Sequence, residues 1–156
     1  MKQKAEGKLI IAKNKRARFE YEILETFEAG LVLQGTEIKS IRAHKVSLQR
    51  SYVQARGEEL WLVDAHIAEY EHGNRENHDP TRPRKLLLNR REINKILDQL
   101  QQKGLSCVPT ILYLKNGRAK VEIALGRGKK LHDKRQTMAK RDSQRQVDRA
   151  LREKYR

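Results

Sequence analysis

Asn14-Lys15-Arg16-Ala17-Arg18 sets three cations and an amide within five residues, next to the end of a predicted strand. Cationic side chains held at fixed spacing can meet successive phosphates, so this run has the chemistry of a nucleic-acid backbone contact. A second basic concentration closes the chain. Residues 129–156 hold eleven Lys/Arg against four Asp/Glu, with no Gly or Pro. At about 100° per residue, Leu131 and Met138 fall on one side of a helix, and Val147, Leu151 and Tyr155 on the other. This segment has helix-forming composition but no single stripe to bury. It reads as a basic tail that folds when an anionic partner neutralises it.

Other chemistries fit less well. His72, Glu76, His78 and Asp79 are metal-ligand types gathered in one polar stretch. They lack the i, i+3 or i, i+4 spacing of a helical site and no cysteine assists, so they read as exposed loop residues with no metal. The acidic residues mostly occupy the solvated phase of alternating strands. No nucleophile elbow, phosphate-cradling glycine loop or dinucleotide fingerprint is present, and the chain reads as a non-enzyme without a cofactor. The one cysteine, Cys107, stands beside Val108 in a strand-like run and reads as a small buried apolar residue.

The net charge of +15 is uneven. Residues 1–18 carry seven basic groups and one acidic, whereas residues 19–128 carry seventeen and fifteen. A nearly neutral body with two basic ends is expected of a folded domain carrying arms for a polyanion. Nucleic acid fits better than a membrane surface, because the tail has no sustained apolar face and no Trp or Phe anchor. No apolar run is long enough to span a bilayer, and the first residues lack a signal-like stretch. The expected setting is cytoplasmic.

The elements that must position these groups are short. Phe19, Tyr21, Ile23, Phe27, Leu31 and Leu33 alternate with polar residues, as in a half-buried strand or strand pair, with a bend or bulge at Ala29-Gly30. Thr36 can cap a short helix carrying Ile38 and Ile41. Strands follow at 51–56 and 60–68, turned around Gly57-Glu58-Glu59. The polar stretch 70–85 is long for a connection and reads as a functional or mobile loop. Asn89 then opens a helix with Glu92 three residues on, and Ile93, Ile96, Leu97 and Leu100 at helical spacing. Last comes a hairpin, 108–115 and 118–125, around Asn116-Gly117. The aromatics are few and alternate with polar residues, so they are expected in the core. Recognition of RNA shape and backbone is then favoured over base stacking. The fold expected is mainly β: an OB-like small antiparallel barrel over residues 1–128 with about three flanking helices, followed by the basic tail at 129–156.

Several long strings go further. Residues 14–18, Tyr21-Glu22-Ile23-Leu24-Glu25-Thr26-Phe27-Glu28-Ala29-Gly30, Gly35-Thr36-Glu37-Ile38-Lys39-Ser40-Ile41-Arg42, Asp79-Pro80-Thr81-Arg82-Pro83-Arg84-Lys85-Leu86-Leu87-Leu88 and Gly128-Lys129-Lys130-Leu131-His132-Asp133-Lys134-Arg135 resemble, in order, the bacterial SsrA-binding proteins (small protein B). The resemblance runs over almost the whole chain. It implies a non-enzymatic, monomeric partner of transfer-messenger RNA in trans-translation. Such an adaptor binds the tRNA-like domain of that RNA and stands where an anticodon arm would be in a stalled ribosome. Its tail becomes helical in the empty mRNA channel beyond the decoding centre. Ribosomal RNA and elongation factor Tu are the further partners implied. Carried over by position, the implied RNA-binding residues are Asn14, Lys15, Arg16, Arg18, Tyr21, Glu28, Arg84, Lys85, Leu87 and Lys120. The implied ribosome-facing tail residues are Lys129, Lys130, His132, Asp133, Lys134, Arg135 and Leu151. Two positions depart from the family pattern: His44 stands where Gly is common, and Phe19 where His is frequent. A general ribosome-associated or double-stranded-RNA protein is the alternative reading.

Overall fold

The computed structural model describes residues 7–72, 77–129 and 131–154. In chain order the elements are β1 (Lys8–Lys13), α1 (Lys15–Glu20), β2 (Tyr21–Leu31), α2 (Gly35–Arg42), β3 (Val46–Ser47), β4 (Tyr52–Arg56) and β5 (Glu59–Val63). There follow β6 (His66–Ile67), β7 (Arg84–Leu87), α3 (Arg90–Leu100), β8 (Leu105–Lys115), β9 (Arg118–Gly128) and α4 (Leu131–Lys154). Seven strands form one antiparallel sheet in the order β1-β8-β9-β2-β7-β5-β4, and β3 pairs with β6 apart from it. The sheet curls until edge strand β4 packs against β8, but among the described residues no hydrogen-bond ladder closes it. It is an OB-like sheet rather than a sealed barrel. Helices α1, α2 and α3 flank it, and α4 is the tail.

Alternation decides which face of the sheet is covered. Ile41 of α2 and Ile96 of α3 are buried together with Leu60, Leu86, Val121 and Ile123 of the strands, while Lys85, Leu87 and Lys120 take the other phase. Cys107 is 1% exposed in this core, and burial pushes its thiol up to about 12, so it is inert at neutral pH. The Asn116-Gly117 hairpin forms as expected, with φ of 51° and 80°, the double positive φ of a type I′ turn. Asn89 caps α3, its Oδ1 accepting from the Glu92 amide at 2.9 Å.

Several local expectations are corrected. Phe19 lies in α1, not in a strand, because a single helical turn that buries only Ala17 leaves too short a pattern for periodicity to register. The β2 bulge falls between Ile23 and Glu25; Gly30 pairs regularly with Lys120 and Leu87. Gln34, not Thr36, caps α2, through a reciprocal box with Glu37. The 60–68 strand is broken at Asp64, whose φ is 64°, into β5 and β6. Nor is His78 an exposed loop residue: it is 3% exposed, with Nε2 donating to the Ile67 carbonyl and Nδ1 bonded to the Thr36 hydroxyl, each at 2.8 Å. Among the described residues no group of three metal-ligand side chains converges, and no helix is long and apolar enough to cross a membrane. Glu76 lies outside the described residues.

His44 ends α2 with φ of 60°, and the carbonyls of Ile41 and Ser40 accept from the amides of His44 and Lys45 at 2.9 and 3.0 Å. That is a Schellman cap with a side chain in the left-handed position where glycine is the unstrained residue. His44→Gly is therefore expected to stabilise the fold by about 1 kcal/mol, read as a rise of about 2–4 °C in melting temperature.

Candidate nucleic-acid interface

The outer phase of the curled sheet assembles one surface from four strands. The hairpin register sets Tyr113 opposite Lys120 and Lys115 opposite Arg118. Pairing of β2 with β9 sets Gly30 beside Lys120 and Glu28 beside Glu122, and pairing of β2 with β7 brings Leu87 to the other side of Gly30. Gly30 is what lets these side chains close up. A Cβ there would stand 3.3 Å from that of Leu87 and 3.6 Å from the Lys120 ammonium. The resulting groove, about 390 Å³, is lined by Gly30, Leu33, Leu87, Arg118 and Lys120. Leu87 is 51% exposed, an apolar side chain presented to solvent between Lys85 on its own strand and Lys120 across the sheet. An apolar contact ringed by cations suits a splayed base or a ribose with its phosphates.

Glu28 is an acid on this cationic face, where its charge suits the neighbouring lysines and would repel a phosphate. Its Oε2 accepts from the Tyr113 hydroxyl, and the Lys115 ammonium lies 3.4 Å from both carboxylate oxygens. The Tyr113 hydrogen bond, with Lys115 and Lys8 behind it, outweighs burial and holds the carboxyl below the ordinary carboxylate range. Burial, together with the same contact, raises the Tyr113 phenol. Lys8 stands over the Tyr113 ring, 5.1 Å from its centre. Farther along the sheet Lys85 pairs with Trp61, and the Arg56 guanidinium stacks 5.6 Å from the Trp61 ring centre.

A second cationic cluster sits at the opposite end of β2, nine residues or about 30 Å away at ~3.3 Å per residue. Lys15, Arg16 and Arg18 are exposed on α1, and Tyr21 begins β2. Arg16 pairs with Glu20 at 2.9 Å. A cleft of about 360 Å³ runs between this end and β4, lined by Arg16, Tyr21, Arg50 and Tyr52. The tail starts from the same place: the Lys129 amide donates to the Glu20 carbonyl at 2.8 Å and its ammonium to the Arg18 carbonyl at 3.0 Å. Beyond it α4 runs for 24 residues with Met138, Val147 and Leu151 each about half exposed. Among the described residues of α4, these three apolar side chains remain about half open to solvent.

A family model described as SmpB protein matches residues 11–153, nearly the entire chain. The chain belongs to the SmpB family. An SsrA-binding protein of Shouchella clausii is 55% identical over 156 residues, covering 100% of this chain and 99% of its own length. One from Halalkalibacterium halodurans is 56% identical over 151 residues, 97% of each chain. A chain from a solved structure described as "tmRNA-SmpB: a journey to the center of the bacterial ribosome" superposes with a TM-score of 0.66 at 49% identity, over 77% of this chain and 85% of that one.

In this SmpB chain the residues expected at the interface do not form one patch. Glu28, Lys85, Leu87 and Lys120 gather on the outer sheet; Lys15, Arg16, Arg18 and Tyr21 gather with Lys129 at the α1 end. Two expectations are corrected. Arg84 is 0% exposed and turns inward: its Nε donates to Glu37 Oε2 at 2.6 Å and its terminal nitrogens to the carbonyls of Ala65 and Pro80. Burial acts first to raise the Glu37 carboxyl, but Arg82, the Gln34 amide and Arg84 outweigh it and hold it low. Asn14 is 7% exposed, its Nδ2 donating to the Pro109 carbonyl and its backbone amide to that of Thr110. It seals the β8 bulge at a proline that cannot donate to the ladder. Arg84 is thus bonded within the fold, whereas Asn14 also lines the cleft at the α1 end, and its Oδ1 has no hydrogen-bond partner among the described residues. In the tail, Lys134 and Arg135 lie on the first turns of α4. Lys130 and the side chains of His132 and Asp133 lie outside the described residues. Tyr113, Lys115 and Arg118 are additions to the expected set, and their signal was the hairpin register, which places all three on the face of Lys120.

Proposed function

We propose that this chain is an RNA-binding adaptor of ribosome rescue. It binds the tRNA-like domain of transfer-messenger RNA through the Glu28–Leu87–Lys120 face. It delivers that RNA to stalled ribosomes for trans-translation, in the cytoplasm, as a monomer and without chemistry of its own. Elongation factor Tu joins the delivered complex. Lys15, Arg16, Arg18 and Tyr21 at the α1 end make a further contact to the same RNA, and the tail faces the ribosome, with α4 in the empty mRNA channel near the decoding centre, where ribosomal RNA meets its basic side chains. The observation that carries this reading is the exposed Leu87 set between Lys85 and Lys120, within a family whose members are named for binding SsrA RNA. The separation of the two cationic clusters along β2, about 30 Å of strand at ~3.3 Å per residue, supports two distinct contact regions rather than one.

Selectivity tests the reading against a general duplex-RNA binder. At physiological salt the chain is expected to prefer the tRNA-like domain strongly over a generic duplex of equal length; equal affinity would overturn the proposal, since nonspecific phosphate contacts alone behave that way. Within the face, Glu28→Ala is expected to weaken binding of the isolated tRNA-like domain by about tenfold or more, the scale of a hydrogen bond to a charged group, with the melting transition retained. Unchanged affinity would remove Glu28 from the interface.

A further inference from the structure

We infer that Tyr113 is a positioning residue of the RNA-binding face, holding Glu28 in place as a ready acceptor for an O–H or N–H donor of the bound RNA. This rests on the assignment of Glu28 to that face made above. Tyr113 stands on β8 and Glu28 on β2, with β9 between them. At about 4.8 Å per strand, the hydrogen bond from the Tyr113 hydroxyl to Glu28 Oε2 bridges two strand spacings. The phenol is anchored at its other end, because its ring is 5% exposed and Lys8 stands over it. Packing alone would be satisfied by phenylalanine; the hydroxyl is spent on an otherwise exposed carboxylate.

Two consequences follow from the chemistry. Glutamate has several rotatable bonds, so fixing it before RNA arrives removes an ordering cost of the sort that weakens binding. Each carboxylate oxygen can accept more than one hydrogen bond, so acceptor capacity remains beside the Tyr113 bond. A 2′-hydroxyl or a base amino group can donate to it, whereas a phosphate cannot and is repelled. The fixed acid therefore makes a mostly cationic face selective for RNA donors over bare backbone charge. The charged groups around Glu28 are Lys8 on β1, Lys115 on β8, and Lys120 and Glu122 on β9; Glu122 is itself occupied by the Thr110 hydroxyl.

The test is a double-mutant cycle on the full chain, measuring affinity for the isolated tRNA-like domain at fixed salt. Tyr113→Phe is expected to weaken binding about two- to tenfold, the scale of one immobilised side chain. Its melting temperature should fall by no more than about 4 °C. In a Glu28→Gln background the same change should have no further effect. A pH series separates positioning from packing. As pH falls through its pKa, protonation turns one Glu28 oxygen into a donor and weakens the carboxyl as an acceptor, and losing its largest lowering contact moves that point up. The ratio of parent to Tyr113→Phe affinity should therefore widen between about pH 7 and about pH 4.5, but stay constant in the Glu28→Gln background. Parental affinity in Tyr113→Phe, with Glu28→Gln weakened, overturns this inference alone. So does an undiminished Tyr113→Phe effect in the Glu28→Gln background, or a larger drop in melting temperature. Parental affinity in Glu28→Gln overturns the assignment of Glu28 to the interface and this inference with it.

Discussion

Arg84→Ala is expected to lower the unfolding free energy by about 3 kcal/mol, the lower end of the scale for removing one member of a buried ion pair, because Arg82 and the Gln34 amide still hold Glu37. Both partners are 0% exposed, so the lost guanidinium leaves a polar cavity rather than bulk solvent beside Glu37. The Ala65 and Pro80 carbonyls lose their donor in the same step, and buried acceptors without partners add to the penalty. For a chain of 156 residues this corresponds to a fall of about 10 °C in melting temperature. Arg84 ties α2, through Glu37, to β7 and to the segment before it, and β7 carries Leu87 to its place beside Gly30. RNA affinity should therefore fall only where the fold loosens, whereas Lys85→Ala and Leu87→Ala should weaken binding with the transition intact. A calorimetric scan beside an affinity measurement distinguishes the two classes. An Arg84→Ala chain of parental melting temperature and reduced affinity would return Arg84 to the RNA-facing surface.

Deleting residues 130–156 is expected to leave binding of isolated transfer-messenger RNA within about tenfold of the full chain and to abolish tagging on stalled ribosomes. The cut spares the Lys129 bonds to Glu20 and Arg18, which close the α1 end of the domain. It removes ten Lys/Arg and four Asp/Glu, and with them much of the long-range attraction for a polyanion. Association should accordingly slow and depend less steeply on salt, with the contacts at Glu28, Leu87 and Lys120 retained. No part of those contacts involves α4, which departs from the opposite end of β2. Binding assays on purified RNA and tagging assays on stalled ribosomes read the two tasks separately. Loss of both activities together would place the tail in the primary RNA site.

Much was legible before any tertiary contact was known, and each success had a local cause. The Asn116-Gly117 turn, the Asn89 cap and the apolar spacing of α3 depend on neighbours within a few residues, so composition and spacing carry them. The tail's composition and split apolar residues read as a segment that becomes helical on an anionic partner; here Leu131–Lys154 is helical, with Met138, Val147 and Leu151 half exposed. Position 44 was marked only through the resemblance, which commonly has Gly there; the structure gives His44 a φ of 60°. α1 failed because one turn of helix beside a strand leaves no period to read. The burial of Asn14 and Arg84 was not legible, because a cation or an amide looks alike in sequence whether it faces solvent or a buried carbonyl.

The sequence by itself determined a basic two-ended RNA binder with a mainly antiparallel body, since charge, turn chemistry and strand alternation are written residue by residue. It even held the register of the last hairpin, and hence the pairing of Tyr113 with Lys120. Only the tertiary structure decided which phase of β7 points outward, so that Leu87 is presented and Arg84 is sunk against Glu37. Only pairing of strands distant in sequence could bring Glu28 within reach of Tyr113 across β9, or separate the α1 cluster from the outer sheet by the length of β2. Side-chain direction in a strand reverses with every residue, and long-range register is set by how the whole core packs. No local pattern contains that choice.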